Sequence, residues 1–223
     1  MMTGETCYMC DQPRTSREHA PPKCLFPVAK EIGQDMRRNL IKVPSCDAHN
    51  SEKSEDDEFM RAIILFSAAE NNEVAQHQFL GKLLRATKRS PLKYSNYIEE
   101  KGIIESERKR VMEIDRDRFD SCIEHMVRAM FFHAYGTKWR YPILVASPNL
   151  HNEDPGKDAV YGKKTADLVK IMHMIIGQEQ FLGDNPSVFK YRLRHDVDSC
   201  SYAFEGIFYD FFEVYTFSTN ENA

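Results

Sequence analysis

No long apolar run occurs in this chain. The longest, Ala62-Ile63-Ile64-Leu65-Phe66, is far short of the roughly 20 apolar residues needed to cross a bilayer. Neither a spanning segment nor a membrane partner is therefore expected. The first residues, Met-Met-Thr-Gly-Glu, lack a basic region followed by an apolar stretch. No secretory signal is expected, and the expected location is the cytoplasm. Positive charge is not in excess either, because the formal net charge is -4. Any grip on a polyanion must then come from a local patch rather than from the whole surface. Internal repeats and low-complexity tracts are missing too, which excludes solenoids and arrays. What is present is the composition of a soluble globular chain, 42% apolar and 29% charged over 223 residues. That length suits one ordinary core plus a small module.

Without export, the six cysteines are expected to be reduced. Three of them fall into two half-sites. Cys7-Tyr8-Met9-Cys10 is a C-x2-C pair, and Cys46-Asp47-Ala48-His49 is a C-x2-H pair. Thiolates and imidazole at this spacing suit one tetrahedral zinc ion. Four protein ligands leave no open position, so such a zinc is structural. His49 admits a second role, as a member of an active site with the zinc completed elsewhere. Residues 1–58 are poor in apolar side chains and punctuated by Pro13, Pro21, Pro22, Pro27 and Pro44. A segment of this kind buries little core, and a metal is expected to contribute to its folding. Cys24, Cys122 and Cys200 fit no second cluster and are expected to be buried or free thiols.

Beyond this segment the pattern is helical and then strand-like. Residues 40–44 suggest a short strand leading into the second half-site. Ser54 followed by Asp57 suggests a helix start, and residues 59–69 and 73–87 have helical texture broken at Asn71-Asn72. Residues 108–135 carry the strongest 3.6-residue period, with Gly136 as its stop. Residues 141–146 resemble a strand, 151–157 a loop and 164–176 a helix ended by Gly177. Residues 188–194 alternate apolar and basic side chains, as a half-buried strand does. Two further strands, 199–205 and 207–217, are expected to meet at a turn on Gly206. The fold class is α+β, with a zinc-stapled finger over 1–60 and a helical plus antiparallel strand-rich part over 61–223.

The residues between the half-sites suit phosphodiester chemistry. A histidine can activate water near neutral pH, and His19 is available. Carboxylate and amide oxygens suit Mg2+ or another hard divalent cation, and Glu18 and Asn50 offer them. A zinc joining residues 7 and 10 to 46 and 49 is expected to bring these groups together.

The ordered stretches CYMC, REHAPPK, RRNLIKVPSC and CDAHNSEKS resemble an HNH endonuclease domain of the treble-clef, ββα-metal type. The resemblance covers about the first 60 residues. It implies that Cys7, Cys10, Cys46 and His49 bind structural zinc, with His49 standing where the family usually has cysteine. It implies further that His19 is the general base, that Glu18 and Asn50 hold the catalytic cation, and that Asn39 orients the loop carrying the base. DNA is the implied substrate, with RNA left open.

Phosphate contact needs cationic side chains. Around the expected site these are Arg17, Lys23, Arg37, Arg38 and Lys53. A second basic run holds Lys82, Arg85, Lys88 and Arg89. Residues 61–223 are expected to position the nuclease, bind a partner protein or form a homo-oligomer. Two other readings compete: a finger that binds nucleic acid or protein without cleaving, and a nuclease subunit inert without its partner.

Overall fold

The computed structural model describes residues 5–50, 53–89, 103–106, 109–112, 114–151 and 154–220, with the backbone alone for 82–89, 103–106 and 109–112. The architecture is mixed α+β with antiparallel sheets. In chain order the elements are β1 (Ser16–His19), α1 (Ala29–Ile32), β2 (Lys42–Ser45), α2 (Ser54–Ala68) and α3 (Glu73–Arg89). Then follow β3 (Ile103–Ser106), β4 (Lys109–Met112), α4 (Arg116–Tyr135), β5 (Leu144–Ala146) and α5 (Pro155–Ile176). The last four are β6 (Leu182–Asn185), β7 (Phe189–Asp196), β8 (Ser201–Phe208) and β9 (Phe212–Thr219). Strands β1 and β2 form one antiparallel pair and β3 and β4 another. The main sheet has the order β5-β9-β8-β7-β6, antiparallel throughout.

Helices α3, α4 and α5 start where a polar side chain accepts from their first N–H groups, whereas α2 has no side-chain cap. Glu55, Asp56 and Asp57 place negative charge on the first turn of α2, where the helix dipole favours it. The Asp115 side chain accepts from the N–H of Arg118 at the start of α4, and Gly136 ends that helix in the left-handed region at φ 70°, as a glycine readily does. The period over 108–135 therefore holds only from Arg116 onward. Residues 109–112 are strand β4, paired with β3, because a hairpin partner lies just upstream in sequence. Helix α5 begins nine residues before the expected 164. Asp154 accepts from the N–H groups of Gly156 and Lys157, and Pro155 takes the first turn, where its missing N–H costs nothing.

The turn expected at Gly206 lies elsewhere. Strand β8 runs straight through Gly206, and the chain reverses at Tyr209 and Asp210, both at φ 54°. Gly206 is a packing position: a Cβ there would stand 3.0 to 3.2 Å from the Phe204 and Phe189 rings.

Successive residues of the sheet face opposite sides, and both sides are covered. Tyr202, Phe204, Phe208, Phe212 and Val214 join the main core with Phe119, Ile123, Val127 and Phe131 of α4. Ala203, Tyr215 and Phe217 point the other way, against Met172 and Ile176 of α5. The main core does not stop at the finger. Tyr8, Leu25, Phe26 and Val43 belong to the same buried cluster, and α2 runs unbroken across residue 60. No described helix is long and apolar enough to cross a membrane.

A buried polar knot ties the finger to the sheet. The Gln78 amide donates to the Leu25 carbonyl at 3.0 Å and to the Tyr209 hydroxyl at 2.8 Å. Tyr209 in turn donates to the same carbonyl. Tyr209→Phe leaves Leu25 one donor and removes an acceptor from Gln78. It should lower unfolding stability by about 1 kcal/mol, read as a fall in the denaturant midpoint with an unchanged slope.

Candidate metal centre

The first half-site sits on a tight loop between residues paired at Thr6 and Pro13. The Met9 N–H donates to the Cys7 sulfur at 3.4 Å, and the Cys7 N–H donates to Gln12 at 2.9 Å. The Tyr8 N–H reaches the Pro44 carbonyl at 2.8 Å, laying the loop against β2. The second half-site follows β2 directly. Cys46 ends the strand, and a single 3-10 turn, Asp47–His49, swings His49 back over it.

The four side chains converge. Their ligand atoms all lie within 4.8 Å of one another. Cys10 Sγ stands 3.7 Å from Cys46 Sγ, and His49 Nδ1 stands 3.2, 3.5 and 3.6 Å from the sulfurs of Cys46, Cys10 and Cys7. A tetrahedral zinc with bonds of about 2.3 Å to sulfur and 2.0 Å to nitrogen spaces its ligands about 3.5 to 3.8 Å apart. The donor set and its spacing therefore fit zinc, with His49 using Nδ1. Among the described residues this is the one group of three or more Cys, His or acidic side chains arranged to hold a metal. With the fourth ligand in place, no position is left for substrate.

The surroundings favour the metal-bound form. Burial opposes ionisation of Cys7, but N–H groups from Met9, Cys10 and Cys46 outweigh it and hold the thiol below its ordinary value. Cys10 is pushed the other way, by burial and by the sulfurs of Cys46 and Cys7, so metal must displace its proton. Lys138, just past α4, donates to the Cys10 carbonyl at 2.7 Å and to Asp11 and Thr6 at 3.0 Å. Lys138 thereby ties the loop of the first half-site to the chain just beyond α4, with its charge paired to Asp11. Sequence pattern could not single it out, because the contact spans 128 positions.

Strand β1 carries the Glu18-His19 pair. It is held by β2, with Glu18 opposite Val43 and His19 opposite Lys42. Adjacent strand residues face opposite sides. Glu18 accordingly points inward and is 3% exposed, while His19 is only partly covered. Burial holds His19 below its ordinary value, and the charges of Lys42, Lys23 and Arg37 add to the effect. The imidazole is thus neutral and basic at neutral pH, inside a cationic neighbourhood.

Glu18 is not presented to a metal ion. Its carboxylate accepts from the Lys53 ammonium at 3.0 Å, and the same ammonium lies 3.3 Å from Asp57. Burial pushes both carboxyls up against the pull of Lys53. Lys53 faces both carboxylates and is held above its ordinary value despite its own burial. Asn50 is brought to β1 but not to Glu18. Its amide nitrogen donates to Ser16 Oγ at 2.8 Å and to the Arg17 carbonyl at 3.4 Å. Asn39 is exposed at φ 52°, a left-handed position that asparagine tolerates, and its side chain makes no hydrogen bond among the described residues.

The expected phosphate-binding residues divide. Lys23 is exposed, as is Lys42, which was not expected to join them, and Arg17 and Arg38 are exposed with acidic neighbours Glu5 and Asp35. Arg37 is half-buried and donates to the Phe26 carbonyl at 2.8 Å. Lys53 is a correction: at 7% exposure it cannot meet a phosphate, because the carboxylates of buried Glu18 and partly exposed Asp57 hold it. The side chains of Lys82, Arg85, Lys88 and Arg89 lie outside those described. His125 of α4 also reaches the N-terminal segment, its ring centroid 6.0 Å from that of His49.

Comparison with protein-family models, with curated proteins and with solved structures finds no match for this chain.

The purified chain should hold one zinc by elemental analysis. His49→Ala should lose most of it and His49→Cys should keep it. Acidification protonates the ligands, so zinc should be released as pH falls and retained as it rises.

Proposed function

We propose that this protein is an HNH-type endonuclease that hydrolyses DNA phosphodiester bonds with His19 as general base. The observation that carries the proposal is the state of His19. It is partly exposed at the end of β1, and burial with the charges of Lys42, Lys23 and Arg37 lowers its pKa, which favours the neutral form. The order of parts supports a treble-clef reading: a metal-type loop, the β1–β2 hairpin, then the second half-site at the entry to α2.

In this mechanism zinc cross-links the loop to the start of α2 and takes no part in the chemistry. Neutral His19 accepts a proton from water as the water oxygen bonds to phosphorus, the bond from phosphorus to the leaving oxygen breaks, and that oxygen takes a proton from solvent. Lys23, Lys42 and the exposed arginines oppose the charge on the phosphate. The catalytic Mg2+ expected at Glu18 and Asn50 has no donor set assembled for it. Glu18 is engaged by Lys53, and Asn50 donates to Ser16 and Arg17. No step is therefore routed through such an ion.

A second reading is favoured by that same engagement of Glu18. A finger that binds nucleic acid without cutting has no need of a free carboxylate, and fold alone does not decide between them. Plasmid nicking separates the two. His19→Ala should lose nicking by about 10²-fold or more while keeping zinc and the far-ultraviolet spectrum. If wild type binds DNA but never nicks it, the binding reading replaces the nuclease.

The charge environment of His19 gives a second test. Because its pKa is lowered, the basic form persists under mild acid. Loss of rate on acidification should begin below the ordinary histidine value of about 6.5. Lys42→Ala removes one neighbouring cation and should move that acid limb upward in the pH–rate profile.

A further inference from the structure

Three charged side chains meet on the inward side of β1, two of them buried and the third, Asp57, partly exposed. Glu18 enters from the strand, Lys53 from the residue preceding α2, and Asp57 from its first turn. The Lys53 ammonium stands between the two carboxylates at 3.0 and 3.3 Å. Lys53 and Glu18 are almost completely enclosed, and Asp57 is the only member with appreciable access. Tyr8 closes another side, with its hydroxyl buried and without a hydrogen-bond partner among the described residues. Glu18 and Asp57 both act electrostatically on that hydroxyl.

An enclosed carboxylate pair requires a cation, because burying unpaired charge is costly. A divalent ion of the hard class could meet that need, but it takes about six oxygen ligands at roughly 2.0 to 2.6 Å and keeps several waters. The pocket offers two carboxylates that already share one ammonium. A second cation beside that ammonium would be repelled by it, in surroundings that screen poorly.

We propose that the Lys53 ammonium is the resident cation of the Glu18–Asp57 pair, and that this pair binds no divalent metal ion while Lys53 is in place. The cation position is filled from within the chain, 35 residues from Glu18 in sequence. Its effect is structural: it fixes the inward side of β1 to the start of α2, so that His19 is held on the outward side. Taken with the nuclease reading above, on which this consequence rests, Glu18 would not be the ligand of any divalent cation that cleavage needs.

The test is Mn2+ binding to the zinc-loaded full chain, followed by the electron paramagnetic resonance signal of free Mn2+. Wild type and Glu18→Gln should titrate alike. Lys53→Met, which keeps the stem length without the charge, should gain one Mn2+ site, and adding Glu18→Gln to it should remove that site. The proposal is overturned if wild type binds a Mn2+ ion that Glu18→Gln lacks. It is equally overturned if Lys53→Met folds with its zinc and gains no site. Should Lys53→Met fail to fold, the comparison of wild type with Glu18→Gln still decides. Nicking in buffer free of added divalent ions is scored separately. If no condition supports nicking, the nuclease reading fails while the Mn2+ titration still decides the role of Lys53.

Discussion

Four side chains, Cys7, Cys10, Cys46 and His49, converge so that one metal ion could link the two ends of the N-terminal segment. The hairpin they bracket pairs only four residues with four, and a two-stranded pair of that size is marginal in water. A metal link between its two ends removes much of the freedom the unfolded segment would otherwise have. The link is not the sole support. Tyr8, Leu25, Phe26 and Val43 enter the main core, and Lys138 grips the loop of the first half-site from the far end of α4. The finger is thus stapled by its ligands and seated by the body.

From that arrangement follows a division of labour across a single strand. Because side chains alternate, fixing β1 against α2 commits Glu18 to the interior and leaves His19 at the surface. The interior side becomes a closed ion cluster with Lys53 and Asp57. The outer side becomes a neutral imidazole among cations. Removing one member of the inner cluster would strand charge out of water, which costs more than the pair contributes when intact. The outer side carries no such constraint, so His19 and Lys42 are the positions where chemistry can be altered without dismantling the strand.

The half-sites were legible because ligand spacing is local: two residues separate each pair, and both pairs converge as that spacing implies. Helices α2 and α3 were legible from their apolar period and from the Asn71-Asn72 break. Longer-range facts were not. Lys53 carries the same charge whether it meets a phosphate or a carboxylate, and only the packing of α2 under β1 decides which. Lys42 became part of the His19 environment through strand register, a property absent from either stretch alone. Gly206 looked like punctuation, whereas two phenyl rings explain why no larger residue fits there. Asn39 matched a motif position, yet the structure accounts for it by its left-handed backbone. Residues 109–112 continued a helical period by composition and became a strand because a pairing partner stood beside them.

A metal ion joining the two half-sites would be held by three sulfurs and one imidazole nitrogen. X-ray absorption at the zinc edge of the purified protein tests it most directly. Three scatterers at about 2.3 Å and one lighter scatterer at about 2.0 Å are the predicted shell. A shell of oxygen and nitrogen alone, or one with fewer than three sulfurs, would contradict the account.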